Sequence, residues 1–242
     1  MMLRLSLRRL RNRWLKARLR RKQLDTLAAA NLTALEHLDL NRKARDQRYV
    51  VFDLETTGLD LNRDRVLSVA AFRIVAGRIP LAEVFSSMVN PDRTIPSSSI
   101  KIHGIVPDMV AQAPPLEEVL DQFLSYLGTD ILIGFHVRFD LHFIDSCMKK
   151  RYGFALQNLA LDLSPMCRKL ILPIHLRSYM MRHRRHPSLD EVAKRLHIEI
   201  PERHTALGDA LATAMIFQRI LAELEKRGPG RLRDLVSFGS II

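Results

Sequence analysis

Long apolar runs are missing from this chain. Nowhere do about eighteen consecutive apolar residues occur, so no segment is expected to span a bilayer. Cysteine is nearly absent too: Cys147 and Cys167 are too few for a disulfide framework or a zinc knuckle. They are expected to be reduced core thiols of a cytoplasmic protein. No internal repeat is present. Acids are missing from residues 1–22, which hold ten Lys/Arg, so the formal net charge of +12 is unevenly placed. The rest of the chain carries 28 basic against 26 acidic side chains and is almost neutral.

The acid-free start is an arm that attracts polyanions, either nucleic acid or anionic lipid. Leu3, Leu7, Leu10, Trp14 and Ala17 recur at helical spacing, with arginines on the other faces. Residues 1–48 are therefore expected to be helical. An Arg-rich amphipathic start also suits an organelle transit peptide, though not a secretory signal. The apolar stripe predicts docking on the chain's own domain, a protein partner or a membrane surface, with the arginines left for phosphate. The expected divisions are a basic helical extension over 1–47, a main domain over 48–228 and a tail over 229–242.

Strands are predicted at Tyr49–Leu54, Val66–Val75, Leu81–Val89 and Ile131–Ile133, with a turn at Gly77-Arg78. Helices are predicted at Leu116–Leu127, Phe139–Arg151, Leu161–Leu172, Ser188–Leu196 and Thr205–Arg227. Ser188 with Glu191 makes a capping box, and Gly228-Pro229-Gly230 stops the last helix. This mixture implies a layered α/β domain.

Asp53 and Glu55 lie two apart at a strand end, so both point to one side. Two ionised carboxylates repel, and a divalent cation with a taste for oxygen, Mg²⁺ or Mn²⁺, relieves that repulsion. Thr56-Thr57-Gly58 is a tight turn after them. Asp140 opens a helix, where the dipole favours an acid in any case. His204 and Asp209 are five apart, which rotates a helix by about 500° and separates their faces. With Thr205 as N-cap, however, His204 lies off the helix and can turn toward Asp209. Taken singly, each of these residues also has an ordinary structural explanation: a solvated strand-end acid, a first-turn acid, a surface histidine.

Taken together they fit one pattern. Val51-Phe52-Asp53-Leu54-Glu55-Thr56-Thr57-Gly58 resembles the first motif of the DEDD exonuclease superfamily. His103-Gly104-Ile105, Met109-Val110 and Ala113-Pro114 resemble the segment that follows its third strand. Phe135-His136-Val137-Arg138-Phe139-Asp140 resembles its second motif, and His204-Thr205-Ala206-Leu207-Gly208-Asp209-Ala210 its third. The third motif is that of the histidine branch, which includes the proofreading subunit of bacterial replicative DNA polymerase and RNase T. In the tyrosine branch a Tyr stands four residues before the last Asp, where this chain has Thr205. The likeness spans about residues 48–227. His136 departs from it, standing where the family commonly has Asn, and so do the arm and the basic stretch Arg177–His186.

The resemblance implies an RNase H-like fold, with a mixed sheet of about five strands flanked by helices. It implies a 3′→5′ exonuclease that holds two Mg²⁺ (or Mn²⁺) and releases nucleoside 5′-monophosphates from the 3′ end of DNA or RNA. Asp53, Glu55, Asp140 and Asp209 would hold the metal and His204 would be the general base, a role suited to an imidazole near neutral pH. Thr56, Thr57, His103, His136 and Phe139 would meet the substrate; for His103 a loop histidine without a ligand is the other reading. The implied partners are a nucleic-acid 3′ end, a polymerase or another protein, and a membrane surface for the arm. A short-RNA exoribonuclease, or a catalytically weak nucleic-acid-binding or polymerase-associated module, are the alternatives.

Overall fold

The apolar run at Tyr49 becomes the central strand, β1 (Arg48–Thr56). β2 (Val66–Val75) and β3 (Val84–Met88) continue on one side of it, antiparallel. β4 (Ile131–Gly134) and β5 (Ala160–Asp162) join on the other side in parallel. The order β3-β2-β1-β4-β5 is the expected five-stranded mixed sheet. Eleven helices lie among the described residues. α1 (Met2–Leu19) and α2 (Thr26–Leu32) precede the sheet, whereas the described residues between Leu32 and β1, expected to be helical, are turns and one 3-10 turn at Ala44–Asp46. α3 (Ser97–His103), α4 (Pro107–Val110) and α5 (Leu116–Leu127) lie between β3 and β4, and α6 (Arg138–Tyr152) follows β4. α7 (Leu163–Leu170), α8 (Ile174–Arg182), α9 (Leu189–Arg195), α10 (Ala206–Lys226) and α11 (Leu232–Gly239) complete the chain. The computed structural model describes residues 2–19, 26–36, 38–183, 185–200 and 202–239. Parts of the expected arm helix (residues 1, 20–25 and 37), residue 184 of the basic stretch and residues 240–242 of the tail lie outside the described residues.

Strand parity sorts the core into two layers. Tyr49 and Val51 join Phe72, Ile74 and Ile133 on one face, packed beneath α7, α9, α10 and α11. Val50, Phe52 and Leu54 join Val69 and Leu132 on the other, against α2, α5 and α6. Each such fully buried side chain contributes about 1.5–3 kcal/mol. Tyr49 stands edge-on to Phe217 of α10 with ring centroids 4.8 Å apart, which seats α10 over β1. The same parity turns Asp53 and Glu55 toward the α10 side.

One expected helix was half wrong. Residues Leu161–Leu172 divide into β5 and α7. Leu161 and Leu163 match a helical period with Met166, Cys167 and Leu170, but three strand residues are too few to show a period of their own. Pairing with β4 takes Ala160–Asp162, and the Asp162 side chain then caps α7 by accepting from Ser164 N at 2.9 Å.

The ends of the chain are tied to this body. Asn31 of α2 donates to Asn158 Oδ1 at 2.6 Å and accepts from Gln157 N at 3.0 Å, all three buried. Ala44 N donates to Gly230 O and Leu232 N to Arg42 O, and Leu232 and Leu235 of α11 are fully buried. α1 lies on the body through its arginines, so of the docking targets expected for the apolar stripe the chain's own domain is not the one it meets. Arg9 donates to Leu35 O at 2.8 Å and Leu38 O at 2.6 Å, Arg8 to Leu156 O at 3.3 Å and Arg11 to Gln157 Oε1 at 3.2 Å. Leu7, Leu10 and Trp14 face outward, each more than half exposed. Loop carbonyls lacking a helical partner draw in guanidinium donors, so these three arginines serve docking rather than remaining free for phosphate. No helix among the described residues is long and apolar enough to cross a membrane. Cys147 and Cys167 are buried free thiols.

Candidate active site

The site gathers at the carboxyl ends of the parallel pair β1 and β4, where open α/β sheets place ligands. Asp53 and Glu55 come from β1, and Asp209 from the first turn of α10. Carboxylate oxygens of these three lie within 4.8 Å of one another. Asp140, buried in the first turn of α6, is near enough to act electrostatically on Asp53. The turn before it is tight: a Cβ on Gly134 would lie 2.5 Å from Val137 Cγ2, so glycine lets the chain fold from β4 into α6. His136 sits in that turn with φ +56°, its N–H donating to Asp162 Oδ1 at 3.1 Å and its ring edge-on to Phe135 and His186. Phe139 turns into the core side, its ring against Phe143.

Thr205 caps α10 by accepting from Gly208 N at 3.0 Å, which leaves His204 off the helix with φ +62°. His204 is exposed beside the acids. The Thr hydroxyls after β1 build the turn. Thr56 Oγ1 donates to Gly58 O at 2.7 Å and Thr57 Oγ1 to Asp64 Oδ1 at 2.8 Å. Asp64 also crowds Gly58, where a Cβ would lie 2.5 Å from Oδ2. His103 is buried; its Nδ1 accepts from Ile105 N at 3.0 Å, and its Nε2 has no partner among the described residues.

Sequence reasoning missed Arg203, Asp190, Asp162 and His186. Arg203 pairs with both Asp190 and Asp209, and its Nη1 is 3.3 Å from His204 Nδ1. Its place next to His204 was the available signal. Asp162 was legible as a cap before Leu163 and His186 ended the basic stretch that departs from the family pattern; Asp190 carried no local signal.

Burial dominates the electrostatics. It raises the Asp53 carboxyl well above the usual range, and Asp140, Asp209 and Glu55 raise it further while Arg203 opposes. Asp140 is raised by burial and by Glu55, against a backbone hydrogen bond. Asp209 is raised by burial despite Arg203. Glu55 is pushed up to about 8 by burial and Asp209. Oxygen donors that repel, with Asp209 Oδ1 buried and without a hydrogen-bond partner among the described residues, fit a hard divalent cation.

These shifts carry a signed consequence. A carboxyl raised on folding contributes stability below its ordinary value, and that stability is lost as pH climbs toward the folded one. In EDTA the melting temperature is therefore expected to drop between about pH 5 and 8, by about 1–3 kcal/mol in stability after allowance for water screening. Glu55→Gln should flatten the slope, and Mn²⁺ should lift the melting temperature most at pH 8. A melting temperature that stays level or rises over this window in EDTA would contradict the electrostatic picture.

The RNase_T family model, described as an exonuclease, matches residues 50–217. The chain is 37% identical over 179 residues to DNA polymerase III subunit epsilon of Aquifex aeolicus, covering 74% of this chain and 83% of that protein. It is 37% identical over 221 residues to a DNA polymerase III subunit epsilon-like protein of Rhodobacter capsulatus, covering 90% of this chain but only 28% of that one. A PolC-type DNA polymerase III of Thermotoga maritima is 32% identical, with 78% and 13% covered. Exonuclease X, solved with 5′-overhanging duplex DNA, shares the fold at TM-score 0.58 and 21% identity, covering 77% of this chain and 98% of that one. E. coli Exonuclease I, solved with a dT13 oligonucleotide, does so at TM-score 0.61 and 18% identity, covering 75% and 42%. With the family model spanning all three acidic motifs and the polymerase III relatives agreeing, the chain belongs to the RNase_T exonuclease family.

Proposed function

We propose that this protein is a divalent-metal-dependent 3′→5′ exonuclease that releases nucleoside 5′-monophosphates from a single-stranded 3′ end. The observation that carries the reading is the convergence of Asp53, Glu55 and Asp209 within 4.8 Å, with Asp140 beside them. Asp53, Glu55, Asp140 and Asp209 would hold two ions, Mg²⁺ or Mn²⁺. Bound there, such ions supply charge neutralisation for the phosphodiester and a more acidic water.

His204, exposed at the mouth, accepts a proton from the attacking water. Water adds to phosphorus, the bond from phosphorus to the 3′-oxygen of the penultimate nucleotide breaks, and that oxygen takes a proton from solvent while His204 gives its own back to solvent. His103 accepts from Ile105 at Nδ1, so its proton lies on Nε2, a buried donor that would meet the terminal nucleotide only where the pocket opens to it. Ser99 donates to Thr57 O at 2.7 Å and holds α3 against the Thr56–Thr57 turn, which would shape that pocket. His136 would line the approach beside Asp140, with Phe139 behind it against Phe143. We place the chemistry in residues 48–228, with 1–47 and 229–242 appended to it, and a polymerase as protein partner by likeness to the Aquifex subunit.

Digestion of 3′- and 5′-labelled DNA and RNA strands with Mg²⁺, Mn²⁺ or EDTA tests this. Mononucleotides should leave the 3′ label first, only with metal. Release beginning at the 5′ label, or continuing in EDTA, would rule the reading out.

A further inference from the structure

Arg203 belongs to none of the motif positions used above, yet its side chain meets the acid cluster. Nε lies 2.6 Å from Asp190 Oδ1 and Nη2 3.2 Å from Asp190 Oδ2. Nη1 binds Asp209 Oδ2 and is 3.3 Å from His204 Nδ1. The two acids differ in setting. The Asp190 side chain is 59% exposed, in the first turn of α9, and the Asp209 side chain is 10% exposed. α9 is itself held at its start by the Ser188–Glu191 capping box. The guanidinium is thus anchored from outside through one edge and reaches inward with the other. Glu202 and His204 on either side of it have φ +55° and +62°, so a sharp turn carries all three residues into the cap at Thr205.

A planar guanidinium grips two carboxylates at once, which an ammonium does not. Its charge lies against carboxylates that otherwise repel one another. A divalent ion on Asp53, Glu55 and Asp209 must compete with Nη1 for Asp209.

We propose that Arg203 is a positioning residue with two linked tasks. Without an ion, it is the internal counter-cation of the acid cluster. With an ion, Nη1 yields Asp209 while the Asp190 edge keeps the turn, and with it His204, in place at the mouth. The proposal rests on the cluster being a metal site. It assigns opposite signs to two measurements: losing the guanidinium strengthens metal binding and slows turnover. Loss of fold would weaken both.

The test uses the full chain, with Mn²⁺ binding followed by electron paramagnetic resonance, unfolding in EDTA, and kinetics on a 3′-labelled strand. Arg203→Gln is expected to bind Mn²⁺ about tenfold more tightly, since one nearby positive charge is gone. It should melt lower in EDTA and lose about 10- to 100-fold in kcat with KM little changed. Arg203→Lys keeps the charge, so Mn²⁺ affinity should stay near that of the unsubstituted protein while kcat falls. Asp190→Asn, a change at an exposed side chain, should likewise lower kcat and leave Mn²⁺ affinity within about twofold. Unchanged or weaker Mn²⁺ binding by folded Arg203→Gln overturns the proposal. Should that variant fail to fold, an unchanged kcat in Asp190→Asn overturns it. Failure of the unsubstituted chain to bind Mn²⁺ would instead overturn the metal reading beneath it.

Discussion

Asp53→Ala is expected to lower nucleotide release by about 10³-fold or more, the size of several kcal/mol of lost transition-state stabilisation. Asp53 stands on β1 within the 4.8 Å cluster it forms with Glu55 and Asp209, and Asp140 acts on it from α6. The same substitution should raise, not lower, the melting temperature in EDTA at pH 7. A half-buried carboxylate among like charges costs stability when no cation balances it. Asp53→Asn, close in volume, should show the same pair of effects and so separates charge from cavity formation. Purified Asp53→Ala with undiminished nuclease activity would be incompatible with the proposed function.

His204→Ala is expected to cost about 10²–10⁴-fold in turnover, the usual contribution of a positioned general base. His204 is exposed and lies outside α10, so its loss should barely move the melting temperature. Mn²⁺ binding should also survive, because none of the clustered acid oxygens belongs to it. Turnover within about threefold of the unsubstituted protein would remove His204 from the reaction. A loss of Mn²⁺ binding would move it into the metal site instead.

The expectations that held rest on short-range periods. Val66–Val75 and Leu116–Leu127 begin and end where their patterns do, because a short apolar run bounded by turn residues and a period of 3.6 are both properties of the local chain. The capping box at Ser188 and the N-cap at Thr205 were legible for the same reason: each is settled within four residues. Where the period was too short to register, at Ala160–Asp162, a strand passed for the start of a helix.

The arm shows a different limit. Periodicity located the stripe of Leu7, Leu10 and Trp14, but not which side of α1 meets the body. That choice fell to loop carbonyls at Leu35, Leu38 and Leu156, far away in the chain and in need of donors.

By itself the sequence determined the strands β1, β2 and β4, the helices α5, α6, α9 and α10, and the residue types at Asp53, Glu55, Asp140, His204 and Asp209, since spacing along a chain carries that much; β5, α8 and α11 escaped it. Only the tertiary structure decided that Asp53, Glu55 and Asp209 share one 4.8 Å cluster and that Arg203 reaches across from Asp190 to Asp209. Such contacts depend on how α9 and α10 pack over β1, and packing sums many weak long-range interactions that leave no periodic trace in the residues they join.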